Sequence, residues 1–164
     1  MSDKPKLYVM CGMSGSGKTT FSQEFSKTHG LLYINPDRFY ALYNGDECNH
    51  YNEFEIWMAL FRALHMAEQQ KIDTIFDTNN PTFAGRVQLT EWFPKFEHHL
   101  IVIKANLEIC LRNNANRRRK VPTDEMLRMW DSFQWPNDSE TKFWKTVTTY
   151  RNDNNELVFD TIKS

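Results

Sequence analysis

Residues 12–19, Gly-Met-Ser-Gly-Ser-Gly-Lys-Thr, constrain the fold of this chain more than any other stretch. An apolar run at 7–11 precedes them and predicts a buried strand, while Phe21 and Phe25, four residues apart, predict a helix over 18–29. A strand, a G-x-x-x-x-G-K-[ST] loop and a helix together form the pattern of a phosphate-binding loop. Its glycines let successive backbone N–H groups converge on one anion, and the helix start adds further unpaired N–H groups. The stretch therefore predicts a polyphosphate site.

The side chains of this loop have distinct expected roles. Lys18 is predicted to reach the β- and γ-phosphates as a point charge, and the Thr19 hydroxyl to bind Mg²⁺. ATP and Mg²⁺ are accordingly the expected donor and cofactor. The residues predicted to hold the donor here are Gly12, Ser14, Gly15, Ser16, Gly17, Lys18, Thr19 and Thr20.

Strand-like and helix-like patterns alternate along the rest of the chain. Further strands are predicted at 31–34, 74–77 and 100–103, with the strand at 31–34 ended by an Asn35-Pro36-Asp37 turn. Helices are predicted over 51–70, 81–93 and 107–117, with another after Pro122 capped by Thr123. For the C-terminal part, 136–164, the sequence does not distinguish a hairpin from one last strand followed by a tail. This alternation predicts a single α/β domain over 1–164, with a mostly parallel sheet of about five strands and helices on both faces.

Composition narrows the class of protein. The chain has 20 Lys and Arg against 21 Asp and Glu, so a protein that coats nucleic acid through a broad positive field is not indicated. No apolar run approaches the roughly 18–20 residues needed to cross a bilayer. Three widely spaced cysteines predict neither a disulfide framework nor a zinc site. A reduced, cytoplasmic protein is expected, in the host cytoplasm if the source is a phage. His98 and His99 are expected at the surface.

Two aspartates follow predicted strands and are candidates for chemistry. The chain lacks the N-K-x-D and D-x-x-G patterns of a GTPase, and Asp77 is followed by Thr78-Asn79 without the carboxylate typical of a motor ATPase. Kinases remain, and these need a base for the acceptor hydroxyl. Asp37 is the candidate base, with a turn aspartate as the plainer interpretation. Asp77 is a candidate to face magnesium or the acceptor, or else it caps a turn.

A basic segment at about 112–122 is a candidate lid over phosphates. It contains Arg112 and the four consecutive cations at 117–120, between two predicted helices. A run of like charges is usually a solvated face, and from the residues alone both interpretations stay open.

Four segments together resemble a known family: 12–19, 34–38, 76–79, and 110–117 with Val121-Pro122. They are similar to the kinase domain of bacteriophage 5′-polynucleotide kinase and to related P-loop kinases, including zeta-toxin-like proteins, over about residues 7–135. The resemblance implies the P-loop kinase fold with an Arg-rich lid. It also implies that Asp37 takes the proton from a 5′-hydroxyl, that Asp77 organises the acceptor site, and that Arg117 binds donor phosphates.

The chain departs from that family at two positions. Asn113 stands where the family has its first lid arginine, with Arg112 one residue earlier. Tyr40 stands where the family has an arginine that contacts the acceptor's phosphate, with Arg38 nearby. Asn79 completes the expected acceptor side, which thus comprises Arg38, Tyr40, Asp77 and Asn79.

The resulting expectation is an ATP- and Mg²⁺-dependent kinase that phosphorylates the 5′-hydroxyl of a polynucleotide. Asp37, Lys18 and Arg117 would carry the reaction, with donor phosphates held by the loop, Arg112 and Arg117, and metal by Thr19 and Asp77. A kinase for nucleosides, nucleotides or nucleotide sugars is the first alternative. A nucleotide-binding module without chemistry is the second, and oligomeric state is not indicated.

Overall fold

In the computed structural model, which describes residues 4–164, the predicted alternation becomes a six-stranded sheet. Its strands are β1 Lys6–Cys11, β2 Leu32–Ile34, β3 Thr74–Phe76, β4 Glu97–Lys104, β5 Thr146–Asp153 and β6 Glu156–Lys163. They lie in the order β2-β3-β1-β4-β5-β6, and all neighbours pair in parallel except β5 and β6. The prediction of an α/β fold with a mostly parallel sheet is confirmed. The expected count of about five strands misses the antiparallel edge strand β6.

Within residues 4–164, six α-helices accompany these strands: α1 Lys18–His29, α2 Pro36–Asn44, α3 Glu53–Gln69, α4 Phe83–Trp92, α5 Leu107–Ala115 and α6 Thr123–Ser132. Helix α2 is absent from the sequence-based prediction, which took its first residues for a turn. Asn35 caps it by accepting a hydrogen bond from the Arg38 N–H at 3.4 Å, and Pro36 occupies the first helical position. Proline suits that position because the missing N–H would have no helical partner there. The same three residues therefore end β2 and begin a helix.

Two other helix starts differ from prediction by a residue or two. Helix α4 begins at Phe83 and not at Pro81, because the Thr82 hydroxyl accepts the Gly85 N–H at 3.2 Å and so provides the cap. Helix α6 begins at Thr123, with Pro122 in the cap position and no side-chain cap. Glu125 and Asp124 still lie in its first turn, where the helix dipole favours acidic side chains.

Alternate residues of the strands build two apolar cores, one on each face of the sheet. Leu7, Val9 and Cys11 of β1 belong to the larger core, which α3, α4, α5 and α6 cover. Met10 belongs to the other core, which Phe21 and Phe25 of α1 cover. This alternation follows from the two-residue period of a strand. The expected arrangement, a sheet with helices on both faces, is thus present.

The C-terminal segment resolves the alternative left open by the sequence. Strand β5 extends the parallel sheet beside β4, with Leu100 opposite Val147, and then turns into the antiparallel strand β6. Asn154 and Asn155 make the turn in the left-handed backbone region, with φ of 55° and 69°. A short 3-10 helix, Asp138–Phe143, leads into β5.

Strand β4 is longer than predicted and takes in two histidines expected at the surface. His98 and His99 are only 9% and 8% exposed. They point to opposite faces of β4, where the His98 ring packs edge-on against Trp144 and the His99 ring stacks on Tyr8, with ring centres 6.4 and 5.0 Å apart. None of the helices in residues 4–164 combines the length and the apolar character needed to cross a membrane.

The carboxyl ends of β1, β2 and β3 meet at one edge of the sheet. The three strands are parallel and adjacent, with Ile34 paired to Phe76 and Phe76 to Val9. The Asp77 N–H donates to the Ile34 carbonyl at 2.9 Å, which ties the ends of β2 and β3 together. Ligands of open α/β sheets bind at this edge, so the fold brings the predicted loop and both candidate aspartates to one place.

Candidate active site

A cavity of about 1380 Å³ opens at this edge of the sheet. It is lined by residues of the 12–19 loop, by Asp37 and Asp77, and by Arg117 and Arg119. Ligand pockets for a single small molecule commonly measure about 300–1,000 Å³, so this cavity has room for more than one substrate.

The loop at 12–19 has the backbone geometry that its glycines predict. Gly15 and Gly17 adopt φ of 80° and 103°, in the region that favours glycine, and a Cβ on Gly15 would overlap the carbonyl oxygen of Cys110. Gly17 precedes α1 without a side-chain cap, so the first N–H groups of the helix stay available. The buried Ser16 hydroxyl finds no hydrogen-bond partner within residues 4–164. The N–H groups at the start of α1 and the Ser16 hydroxyl are therefore suited to bind the oxygens of a polyphosphate.

Lys18 is held inside this loop. Its side chain is part of a residue only 5% exposed, and Nζ donates to the Met13 carbonyl at 2.7 Å. Burial lowers the pKa of Lys18 to about 8, because the charged ammonium loses its water, while the nearby Asp77 carboxylate opposes the shift. An anionic ligand in the cavity would stabilise the charged ammonium.

Asp77 is almost fully buried and is oriented by two donors. Tyr33 donates its hydroxyl to Oδ2 at 2.7 Å, and Asn35 donates its amide to the same oxygen at 3.0 Å. The carboxylate lines the cavity together with Thr19. Magnesium is usually held by one or two side-chain oxygens together with substrate phosphates, and residues 4–164 contain no cluster of three or more His, Cys, Asp or Glu that would form an all-protein metal site. Thr19 and Asp77 fit a Mg²⁺ ion that arrives with its nucleotide.

Asn79 connects the end of β3 to the phosphate-binding loop. Its carbonyl accepts the Gly12 N–H at 3.1 Å, and its amide donates to the Ser14 hydroxyl at 3.1 Å. The predicted acceptor residue therefore also fixes the shape of the predicted donor loop.

Asp37 lies in the first turn of α2 and pairs with the basic segment. Its carboxylate forms an ion pair with Arg119, and Arg117 Nη2 lies 3.9 Å from Oδ2. Arg118, which lies between these two arginines in the sequence, pairs with Asp46, with 3.1 Å between Nη2 and Oδ2, and both side chains are exposed to solvent. The basic run is thus only partly a solvated face, because two of its arginines line the cavity and pair with the candidate base.

The structure does not bring every predicted residue into the cavity. Gly12 and Ser16 are buried beneath it, whereas Ser14, Gly15, Gly17, Thr19 and Thr20 line it. Arg112 is exposed on α5, and Arg38 is exposed with its guanidinium 4.4 Å from the centre of the Tyr33 ring; neither lines the cavity. Tyr40 lines the cavity and is 2% exposed.

Several cavity residues were missed by the sequence analysis. His50 stacks on Tyr40 with ring centres 4.2 Å apart, and Trp57 lies beside them on α3. Asn113, Asn152 and Asn155 also line the cavity. A single asparagine in a helix, a strand or a turn carries no local signal for a ligand, and an aromatic residue in an amphipathic helix is usually part of the core. Only the fold could therefore reveal these residues.

A phosphate-binding loop at the end of β1, a 2-3-1-4-5 parallel strand order and a basic lid segment define a P-loop kinase-like nucleotide-binding protein. The AAA domain family matches the chain over residues 7–136, and the chain belongs to that family. The predicted P-loop kinase class is thereby confirmed, whereas the likeness to the bacteriophage enzyme in particular stays a prediction.

Solved structures share this fold at low sequence identity. A sugar kinase from Janibacter sp. HTCC2649 is 16% identical, with a TM-score of 0.66 over 90% of this chain and 85% of that one. Kti12 from Chaetomium thermophilum, solved with ADP-AlF3, is 18% identical, with a TM-score of 0.68 over 90% and 91%. A chain of the Pnkp1/Rnl/Hen1 RNA repair complex is 18% identical, with a TM-score of 0.70 over 79% of this chain and 44% of that one. These likenesses establish the fold.

Proposed function

We propose that this protein transfers a phosphoryl group from a nucleoside triphosphate to a hydroxyl, with the 5′-hydroxyl of a polynucleotide as the acceptor. One observation carries the proposal: the Asp37 carboxylate and the 12–19 loop line the same cavity. A protein that only binds nucleotide needs no carboxylate opposite its phosphates. A kinase needs one within reach of the acceptor hydroxyl.

The roles follow from the positions of the side chains. The loop N–H groups and the Lys18 ammonium hold the donor's phosphates, and Thr19 and Asp77 hold magnesium. Bound magnesium neutralises charge on the phosphate oxygens. Asp37 accepts the proton of the acceptor hydroxyl as the hydroxyl oxygen bonds to the transferred phosphorus, and the bond from that phosphorus to the remaining nucleotide breaks. Arg117 stabilises the charge on the phosphoryl oxygens.

The ion pair between Asp37 and Arg119 sets a condition on this mechanism. The Arg119 guanidinium binds Oδ1 and Arg117 Nη2 lies near Oδ2, so an acceptor hydroxyl competes with these arginines for the carboxylate. Phosphate groups in the cavity offer Arg119 a competing anionic partner. For Asp37 to act as the base, the lid arginines must therefore leave its carboxylate and bind substrate phosphate oxygens.

A polynucleotide acceptor is supported by the basic lid and by the fold shared with a chain of an RNA repair complex. A small hydroxyl compound, such as a nucleoside or sugar, is the second candidate. It is favoured by Arg38, which lies outside the cavity, and by the fold shared with a sugar kinase. Arg38 and Arg112 have no part in the proposed mechanism because they do not line the cavity.

The acceptor class is tested by incubating the protein with γ-labelled ATP and Mg²⁺ and three acceptors: a 5′-hydroxyl oligonucleotide, a nucleoside and a monosaccharide. We expect label on the oligonucleotide. Label on the nucleoside or the sugar alone would replace the acceptor in the proposal. Normal ATP binding with no labelled product in any reaction would favour a nucleotide-binding module.

The base is tested by Asp37→Asn, with Asp46→Asn as the matched control. Asp46 also pairs with a lid arginine, but it does not line the cavity. We expect Asp37→Asn to reduce transfer by about 10²-fold or more with ATP affinity nearly unchanged, and Asp46→Asn to leave both nearly unchanged. Equal transfer by the two variants would remove Asp37 from the mechanism.

A further inference from the structure

Three asparagines hold the outer side of the phosphate-binding loop. The Asn152 amide donates to the Ser16 carbonyl at 2.8 Å, and the Asn113 amide donates to the Gly15 carbonyl at 2.9 Å. Asn155 completes the set by accepting from the Asn113 amide through its own Oδ1 at 2.8 Å. Two consecutive loop carbonyls are therefore bound by side chains from outside the loop.

The amide of Asn152 is fixed at both ends, and the amide nitrogen of Asn113 has two partners. Asn152 is 4% exposed, and its Oδ1 accepts the Asn155 N–H at 2.7 Å while its Nδ2 reaches the loop. Asn113 divides its amide between the loop and Asn155. The turn between β5 and β6 approaches so closely that a Cβ on Gly17 would lie 3.1 Å from the Asn152 Nδ2. The turn, α5 and the loop thus form one hydrogen-bonded unit.

The direction of these two carbonyls matters for phosphate binding. In a loop of this kind the N–H groups converge on an anion only while the carbonyl groups point away from it. If a peptide plane turns over, it replaces an N–H donor by a carbonyl oxygen that repels phosphate. The Asn152 donor on the Ser16 carbonyl opposes that rotation for the Ser16–Gly17 peptide, which carries the Gly17 N–H. The Asn113 donor on the Gly15 carbonyl fixes the preceding peptide, whose Ser16 N–H donates to the Met13 carbonyl at 3.1 Å.

We propose that Asn113 and Asn152 are positioning residues, which keep the 12–19 loop in its phosphate-binding conformation. The ligand class is the polyphosphate of a nucleotide, so the proposal rests on the nucleotide-binding half of the proposed function and not on the transfer step. Asn152 and Asn155 lie beyond residues 7–136, the part of the chain that the family match covers. The C-terminal hairpin, which had no role in the sequence analysis, thereby becomes part of the donor site.

A merely structural role for these amides makes a different prediction. If they only anchor the hairpin, their loss lowers thermal stability and leaves polyphosphate affinity of the folded protein unchanged. If they position the loop, affinity falls in a protein that is still folded. Inorganic tripolyphosphate is the suitable probe, because it has no base or sugar that Asn113 or Asn155 might contact directly.

The experiment compares Asn152→Asp and Asn113→Asp with Asn154→Asp. Each change swaps an amide for a carboxylate of nearly the same shape, removes the N–H donor and adds a negative charge. Asn152→Leu and Asn113→Leu remove the donor without adding charge, so they separate the loss of loop positioning from direct repulsion of phosphate, and the uncharged variants must show the same weakening. Asn154 is the matched control, since it lies in the same turn, is exposed, and adopts a left-handed φ of 55° that Asp tolerates. Calorimetry measures the affinity of each variant for tripolyphosphate and for ATP, and thermal unfolding measures stability.

We expect Asn152→Asp and Asn113→Asp to bind both probes about tenfold more weakly or worse, and Asn154→Asp to stay within about twofold of the parent. Parent-like tripolyphosphate affinity in both test variants would overturn the proposal, as would equal weakening by Asn154→Asp. If Asn152→Asp does not unfold cooperatively, Asn113→Asp decides alone by the same criterion. A parent protein that binds tripolyphosphate but phosphorylates no acceptor would contradict only the transfer step, whereas one that binds neither probe would refute this inference.

Discussion

The buried ammonium of Lys18 makes nucleotide affinity depend on pH in a range where nucleotides themselves do not titrate. Its pKa of about 8 in the free protein is set first by burial. Only the charged form attracts phosphate, and bound phosphates stabilise that charge, so binding restores a pKa well above 8. Affinity therefore falls as pH rises through the pKa of the free protein.

The size of the effect follows from that pKa. About nine-tenths of Lys18 is charged at pH 7 and about one-tenth at pH 9, which corresponds to a tenfold fall in affinity, or ~1.4 kcal/mol. The last phosphate ionisation, near pH 6, is complete over this interval and adds little. Binding at pH 9 should also take up nearly one proton per nucleotide.

Isothermal titration with MgADP at pH 7, 8 and 9, in buffers of different ionisation enthalpy, measures both quantities. Lys18→Met is the control, because it should bind more weakly at every pH and lose the pH dependence and the proton uptake. A parent dissociation constant that stays within about twofold from pH 7 to pH 9 would refute the assignment of a depressed pKa to a phosphate-binding Lys18.

Three further predictions concern groups away from the acceptor. Arg86 and Glu140 are 0% and 1% exposed and form a two-point ion pair, with Nε–Oε1 of 2.6 Å and Nη2–Oε2 of 2.8 Å. Glu140→Ala should lower the free energy of unfolding in urea by about 3–5 kcal/mol, because it leaves the Arg86 charge buried without its carboxylate. Replacing both residues by Met should recover much of that loss, and no recovery would contradict this explanation. Burial lowers the pKa of His98 to about 4 in the folded protein, whereas in the unfolded protein His98 takes up its proton near pH 6.5. As the pH drops from about 6.5 to 4, the unfolded protein therefore binds more protons, and the free energy of unfolding should fall by up to about 3 kcal/mol. His98→Phe should flatten that part of the stability profile, and an unchanged profile would assign the acid loss elsewhere. Gly15→Ala should abolish measurable ADP binding, because the added Cβ meets the Cys110 carbonyl at a strained φ; parent-like binding would mean that the loop can shift.

The phosphate-binding loop was predictable because its ligand contacts are local. Eight consecutive residues supply the N–H groups, the glycines and Lys18, and neighbouring strand and helix patterns supply the context. The same reasoning placed Asp37 and Asp77 at one edge of the sheet, since the ends of parallel strands meet there. It failed on α2, because Asn35-Pro36-Asp37 has the composition of a turn and also of a helix start.

The arginines show where local reasoning ends. Arg117 and Arg119 line the cavity, whereas Arg112 and Arg38, which the sequence analysis also assigned to the site, do not. Which side of a helix faces the site depends on how that helix packs. A basic run in the sequence therefore predicts a positive segment but not which of its members meets the ligand.

The sequence by itself determined the phosphate-binding loop, the alternation of strands and helices and the presence of a basic segment, because each depends on residues close together in the chain. Only the tertiary structure brought Asn113, Asn152 and Asn155 to the outer side of that loop and Arg119 to Asp37. These contacts join residues 42 to 136 positions apart in the chain, so they depend on the order of strands in the sheet. Side chains that converge from separate elements have no signature in either element alone.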